Sequence, residues 1–148
     1  MNIKRLFKKL LYGGSASLTP LEAGVLECVR ISIKSQQGEV FGRQIELISL
    51  VQRDHSNRMI TIYFDDGMPQ PLLEDRRENL CIAKVKYSIG SEKFTTSVYT
   101  HRGRISSLET HESIDPQSLL MTPDIISVKL VSLSEEGLAA DIDREEHE

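Results

Sequence analysis

Apolar and polar residues alternate through most of the chain between residues 47 and 133. Segments 59–64 and 80–87 show the alternation most clearly, and a period of two is typical of a β-strand with one buried face. The predicted strands span residues 47–54, 58–65, 80–89, 94–101, 104–111 and 125–133. A chain with this pattern is expected to build one antiparallel sheet.

The first two predicted strands are expected to form a hairpin. Polar residues His55, Ser56 and Asn57 lie between them, and asparagine tolerates the left-handed backbone conformation that tight turns need. Asp54 and Arg58 are therefore predicted to flank a tight turn between antiparallel strands.

Helical periodicity precedes the strands. In residues 2–12, five large apolar residues recur at helical spacing and the opposite face is basic. Thr19-Pro20-Leu21-Glu22 is a capping box with proline at the first helical position, which predicts a second helix. A short third helical turn is predicted over residues 39–46. The expected fold class is α+β, with amino-terminal helices packed on a five- or six-stranded, mainly antiparallel sheet.

Charge divides the chain into three segments. We assign residues 1–14 to a basic amphipathic helix, residues 15–134 to a single α+β domain and residues 135–148 to an acidic tail. The tail has too few apolar residues to offset the entropy of ordering it, so we expect it to be disordered. The amino-terminal helix is expected to pack on its own domain or on a second copy, with peripheral contact to an anionic membrane as the alternative.

Composition argues against several classes of protein. The net charge of −4 disfavours a nucleic-acid-binding surface. Two cysteines 53 positions apart form neither a disulfide framework nor a metal knuckle, and they suit a reducing compartment. No segment has the apolar length of a membrane span or a secretory signal. We therefore expect a cytoplasmic protein.

The histidines, carboxylates and cysteines of this chain do not have the spacing of a known catalytic or metal-binding motif. His101, Glu109 and His111 lie on adjacent predicted strands, which makes a metal site sterically conceivable, but their spacing matches no metal motif. Cys28 and Cys81 lie among apolar residues and are interpreted as small core residues, with Cys81 on the side of Ala83. We therefore predict no catalytic residue, no metal and no cofactor.

The connection between the second and third strands, residues 66–79, is longer than a hairpin needs. Long ordered loops often carry function. The simpler interpretation, which we favour, is a short surface helix that begins at Pro71 and exposes its charged residues to solvent.

One face of the predicted sheet is the candidate for binding a partner. The opposite face is expected to contact the core through Ile60, Ile62, Phe64, Val85, Phe94 and Val98. Tyrosine provides contact area at modest entropic cost, so tyrosines beside lysines on an open sheet can anchor a protein. The predicted partner-binding residues are Tyr63, Lys84, Lys86, Tyr99 and His101.

Three short motifs carry a resemblance to a known family. They are Leu18-Thr19-Pro20-Leu21-Glu22, then Arg43-Gln44-Ile45, and after a hairpin the segment Arg102-Gly103-Arg104-Ile105-Ser106-Ser107-Leu108-Glu109. In this order the chain resembles a family of small bacterial α+β domains of unknown function, over about residues 18–134. The resemblance implies the α+β fold, and it carries no assigned activity or site residue.

These observations favour a non-enzymatic binding or accessory protein that uses an exposed sheet face. Its partner would be another protein or a second copy, and immunity-like or antitoxin-like neutralisation of a partner is one concrete version, by analogy with other small acidic proteins. The alternative is an enzyme or a small-ligand-binding domain whose site is assembled only in three dimensions. A deep pocket with convergent polar groups would favour that alternative, whereas a flat face bearing tyrosines would favour protein binding.

Overall fold

The computed structural model describes residues 17–67 and 69–131. Within these residues the chain forms three helices and six strands in the order α1, α2, β1 to β5, α3 and β6. The helices are α1 (Pro20–Ser32), α2 (Gln37–Glu46) and α3 (Pro116–Leu119), and the strands are β1 (Ile48–Arg53), β2 (Met59–Phe64), β3 (Leu80–Ile89), β4 (Glu92–His101), β5 (Arg104–Thr110) and β6 (Asp124–Leu130). This architecture confirms the predicted α+β class.

All six strands belong to one antiparallel sheet with the order β1-β2-β5-β4-β3-β6. Hairpins join β1 to β2, β3 to β4 and β4 to β5. The pairs β2·β5 and β3·β6 join strands that are distant along the chain. The turn after β5 therefore lies beside the turn between β1 and β2, and this proximity is what builds the candidate site described below.

Helix α1 begins where the capping box predicts. The Thr19 N–H donates to Glu22 Oε1 over 2.8 Å, and the Glu22 N–H donates to Thr19 Oγ1 over 3.3 Å. Proline at the first position loses no hydrogen bond, since the first N–H groups of a helix have no partner within it. The buried side chains of α1 include Leu21, Val25 and Val29, which belong to the hydrophobic core.

The face of the sheet that contacts α1 and α2 is called the inner face, and the opposite one the outer face. Ile60, Ile62, Phe64, Val85, Phe94 and Val98 are all buried in the core on the inner face, as the alternation predicts. The first hairpin is also confirmed: the Asp54 N–H donates to the Met59 carbonyl over 3.1 Å, and Asn57 has a left-handed φ of 58°.

Gln44 of α2 holds the long connection in place, and the helix predicted to begin at Pro71 is wrong. Residues 69–79 contain no helix, and their backbone bonds to α2 and to the β4–β5 turn. Gln44 is fully buried, and its Nε2 donates to the carbonyls of Pro71 and Gly103 over 2.9 and 2.8 Å. The Leu73 N–H also donates to the Gly103 carbonyl over 2.9 Å. Backbone groups that an isolated helix would pair internally are here paired with the rest of the fold.

Both cysteines are half-buried thiols, and only one of them faces the core as predicted. Cys28 packs against the core from α1, its Sγ donates to the Val25 carbonyl over 3.0 Å, and burial raises the pKa of its thiol to about 11. Cys81 was predicted to share the side of Ala83, and this is wrong. A register shift between Cys81 and Ala83 places Cys81 opposite Tyr99 on the outer face. A β-bulge reverses the direction of the residues that precede it, which alternation alone does not reveal.

The predicted helix at residues 2–12 and the acidic segment 135–148 lie outside the described residues. Among the helices that the structure describes, none is long and apolar enough to cross a membrane.

Candidate functional site

An open groove of about 710 Å³ crosses the outer face of the sheet. One row of paired residues runs along it through four neighbouring strands. Lys84 of β3 pairs with Ser97 of β4, Ser97 pairs with Glu109 of β5, and Glu109 pairs with Met59 of β2. All four of these side chains line the groove. We call this feature the outer groove.

Tyr99 of β4 also lines the outer groove, two residues along the strand from Ser97. It is half-buried, and its cross-strand neighbours are Cys81 and Ser107. Desolvation of the phenol and the nearby Glu109 carboxylate raise the pKa of Tyr99. The hydroxyl is protonated at neutral pH and donates to the Glu109 carboxylate, which leaves its oxygen as an acceptor for a bound group.

The β1–β2 turn forms one end of the outer groove. Asp54, His55, Ser56 and Arg58 reach the groove from this turn, opposite His111 and Ser113. The Asp54 carboxylate organises the turn, because Oδ1 accepts from the Arg58 N–H over 2.9 Å and Oδ2 accepts from the Ser56 hydroxyl over 3.1 Å. Although slight burial opposes the shift, hydrogen bonds from the Met59 and Arg58 N–H groups and the Ser56 hydroxyl lower the pKa of Asp54. The carboxylate is thus a fixed negative charge at this end.

Hydrogen bonds attach the turn to the segment that follows β5. Asn57 is buried, and its Nδ2 donates to the Ile114 carbonyl over 2.9 Å. The Ile114 N–H donates to the Ser56 carbonyl over 3.0 Å, and the Thr110 N–H donates to the Arg58 carbonyl over 2.8 Å. Because both sides of the groove end share these bonds, their separation is set by the fold.

The five predicted partner-binding residues share the outer face, and two of them line the outer groove. Those two are Lys84 and Tyr99. Tyr63 lies on β2 outside the groove, where its hydroxyl donates to Gln52 Oε1 over 3.0 Å. Lys86 lies two residues after Lys84 on β3, outside the groove. His101 is at the end of β4, near the ion pair of Arg102 with Glu78.

The conceivable metal set of His101, Glu109 and His111 is not brought together. Glu109 pairs with Ser97, which is four residues from His101 along β4, or about 13 Å of extended strand. His111 and Glu109 both line the outer groove, whereas His101 does not. Throughout residues 17–67 and 69–131 there is no group of three or more His, Cys, Asp or Glu side chains that could hold a metal ion.

Sequence reasoning missed several residues of the outer groove, most importantly Met59, Arg58 and the turn residues 54–56. Their place in the site depends on the pairing of β2 with β5. This pairing brings together residues such as Met59 and Glu109, which are fifty positions apart in the chain. Alternation of apolar and polar residues predicts the face on which a side chain lies. It does not indicate which distant strand will be its neighbour.

Comparisons with known proteins give no match: no family model matches the chain, and neither a curated protein nor a solved structure is significantly similar to it. The resemblance to a small bacterial α+β family therefore stays a prediction.

Proposed function

We propose that this protein acts by binding another protein through its outer sheet face, with Tyr99 at the centre of the contact. The observation that carries the proposal is the composition of the outer groove. Tyr99 and Met59, which is 40% exposed, add aromatic and flexible apolar surface to a groove otherwise lined by charged, histidine and hydroxyl side chains. Protein interfaces combine apolar and polar surface in this way, and tyrosine and methionine are enriched in them.

The shape of the outer groove also favours a macromolecule. Small-molecule sites generally enclose most of the surface of their ligand. The outer groove instead lies open across four strands, so a small molecule would keep much of its surface in water. A partner of larger area would cover both the groove and the residues that flank it, including Lys86, Tyr63 and His101. We also propose that the protein neutralises that partner and that it is cytoplasmic.

The proposal is tested by photo-crosslinking from defined positions in cell lysate. A benzophenone side chain is placed at Ser97, which lines the groove, or at Glu39, which is exposed on α2. We expect a discrete crosslinked protein from position 97 and none from position 39. Tyr99→Ala should weaken recovery of that protein by at least about tenfold, because truncating a central interface tyrosine removes a large part of the binding energy.

Tyr63→Ala is the matched control, since Tyr63 lies on the same face outside the groove. It should weaken recovery less than Tyr99→Ala does. Equal crosslinking from positions 97 and 39, or recovery that ignores Tyr99→Ala, would contradict the proposal. A specific small molecule that copurifies with the chain and is lost in Tyr99→Ala would support the ligand-binding alternative instead.

A further inference from the structure

Three lysines form a cluster at one side of the outer face. Lys84 of β3 pairs directly with Lys129 of β6, and Lys86 is the next outward residue on β3. Directly opposite residues of an antiparallel pair have their Cβ atoms about 5 Å apart, and outward residues on one strand repeat about every 7 Å. The backbone positions of Lys84, Lys86 and Lys129 therefore lie close together on the outer face. We call these three residues the lysine cluster.

Lys84 and Lys86 are exposed, and neither forms an ion pair with another described residue. Their neighbours on β4 are the hydroxyl residues Ser97 and Thr95, which add hydrogen-bond donors and no negative charge. A surface of this kind is complementary to carboxylates.

We propose that the partner of the outer face presents an acidic segment, and that the lysine cluster receives it. This inference rests on the proposed function and adds the chemistry of the partner. Lys84 belongs to both features, because it lines the outer groove and pairs with Lys129. One partner can thus place apolar groups against Tyr99 and Met59 and its carboxylates beyond Lys84.

The charge distribution favours a short acidic protein segment over a nucleic acid. Glu109 stands in the same cross-strand row as Lys84, and Asp54 occupies the far end of the groove. A long polyanion that followed the face would meet these carboxylates, whereas a segment confined to β3 and β6 would not. The net charge of the chain, −4, also opposes a polyanion.

The test uses the full-length chain and a short fluorescent peptide of alternating glutamate and serine. The same peptide with glutamine in place of glutamate is the control, and binding is measured by fluorescence anisotropy. We expect the glutamate peptide alone to bind, and its affinity to fall as salt rises from about 0.05 M to about 0.5 M. The double variant Lys84→Glu, Lys86→Glu should lose at least about tenfold in affinity, while Lys34→Glu, on the helical side, should not change it.

The double variant Lys84→Gln, Lys86→Gln keeps the test valid if charge reversal disturbs the fold, and it should weaken binding in the same direction. Equal binding of the glutamine peptide, or equal loss in Lys34→Glu, would overturn the inference. A uridine oligonucleotide of equal charge that binds as tightly as the glutamate peptide would overturn it in favour of nucleic acid.

A further variant changes the seven acidic residues of segment 135–148 to amides. If that change alone strengthens peptide binding by more than about tenfold, the acids of this chain occupy the cluster and the assignment to a partner is wrong. Crosslinking from position 97 that persists without any dependence on Lys84 and Lys86 would overturn this inference and leave the proposed binding function standing.

Discussion

Replacing Gln44 by methionine should destabilise the fold far more than its single polar group suggests. The side chain is fully buried and makes three hydrogen bonds at once: Nε2 donates to the Pro71 and Gly103 carbonyls over 2.9 and 2.8 Å, and Oε1 accepts from the Ile105 N–H over 2.9 Å. Methionine has nearly the same length and fills the same space without these bonds. The substitution therefore isolates hydrogen bonding from packing.

The magnitude follows from which groups stay paired. The Gly103 carbonyl keeps the Leu73 N–H as a donor over 2.9 Å. The buried Ile105 N–H loses the acceptor that Gln44 provides, which costs about 1–3 kcal/mol, and the half-buried Pro71 carbonyl adds up to about 1 kcal/mol. A total of about 1–4 kcal/mol is a substantial part of the usual stability of a domain. With a urea slope of about 2 kcal/mol per M, we expect the urea midpoint to fall by about 0.5–2 M.

Gln36→Met is the matched control, because Gln36 is exposed at the start of the same helix and its side chain makes no capping hydrogen bond. Its free energy of unfolding should stay within about 0.5 kcal/mol of that of the unsubstituted chain. Hydrogen exchange should be faster at the Ile105 amide of Gln44→Met, because this amide loses its acceptor. A Gln44→Met midpoint equal to that of the control would refute the reasoning, since it would mean that water or a local shift satisfies the released groups.

Three further predictions concern stability and thiol chemistry. Arg53→Met should lower the free energy of unfolding in urea by about 3–5 kcal/mol, because it leaves the fully buried Glu22 carboxylate without the guanidinium that contacts it over 2.6 Å. A change near zero would contradict this prediction. Gly103→Ala should lower the melting temperature more than Gly90→Ala, since both glycines have positive φ but only at Gly103 would a Cβ meet a carbonyl oxygen at 2.8 Å, and equal melting temperatures would refute the steric argument. The alkylation rate of Cys28, followed by mass spectrometry of the modified residue, should rise with a midpoint towards pH 11, and a midpoint at the ordinary thiol pKa of 9.0 would contradict this. Because the unfolded chain releases the thiol proton at a lower pH than the folded chain, the free energy of unfolding should fall as pH rises from 9.0 to about 11.

Much of the fold could be predicted from the sequence because local physics determines it. Alternation placed Val85, Phe94 and Val98 on the inner face, where all three are buried. The capping box at Thr19 marked the start of α1 because it satisfies backbone donors within four residues. Asn57 adopts the left-handed conformation that the first turn needs. In each case the residue and the partner that explains it are close in the chain.

The parts that could not be predicted depend on partners far apart in the chain. Gln44 reads as one polar residue in an amphipathic helix, yet it bonds to groups 27, 59 and 61 positions away. Residues 69–79 look like a solvated helix until those bonds are known. Likewise, the order of the strands brings β2 beside β5, and no local pattern in either strand indicates that pairing.

The candidate site shows why the correct face is not enough to define a binding surface. Alternation along a strand assigns each side chain to a face, which is why all five predicted partner-binding residues lie on the outer one. A site, however, is built from rows of residues that cross several strands, and the row of a residue depends on register. In this sheet the register shifts at Cys81/Ala83, at Lys86/Tyr87 and at Tyr99/Thr100. Lys84 and Tyr99 fall in the rows that the outer groove crosses, whereas Tyr63 and His101 fall outside the groove. Because turn lengths and bulges set those rows, a residue can lie on the correct face and still fall outside the groove.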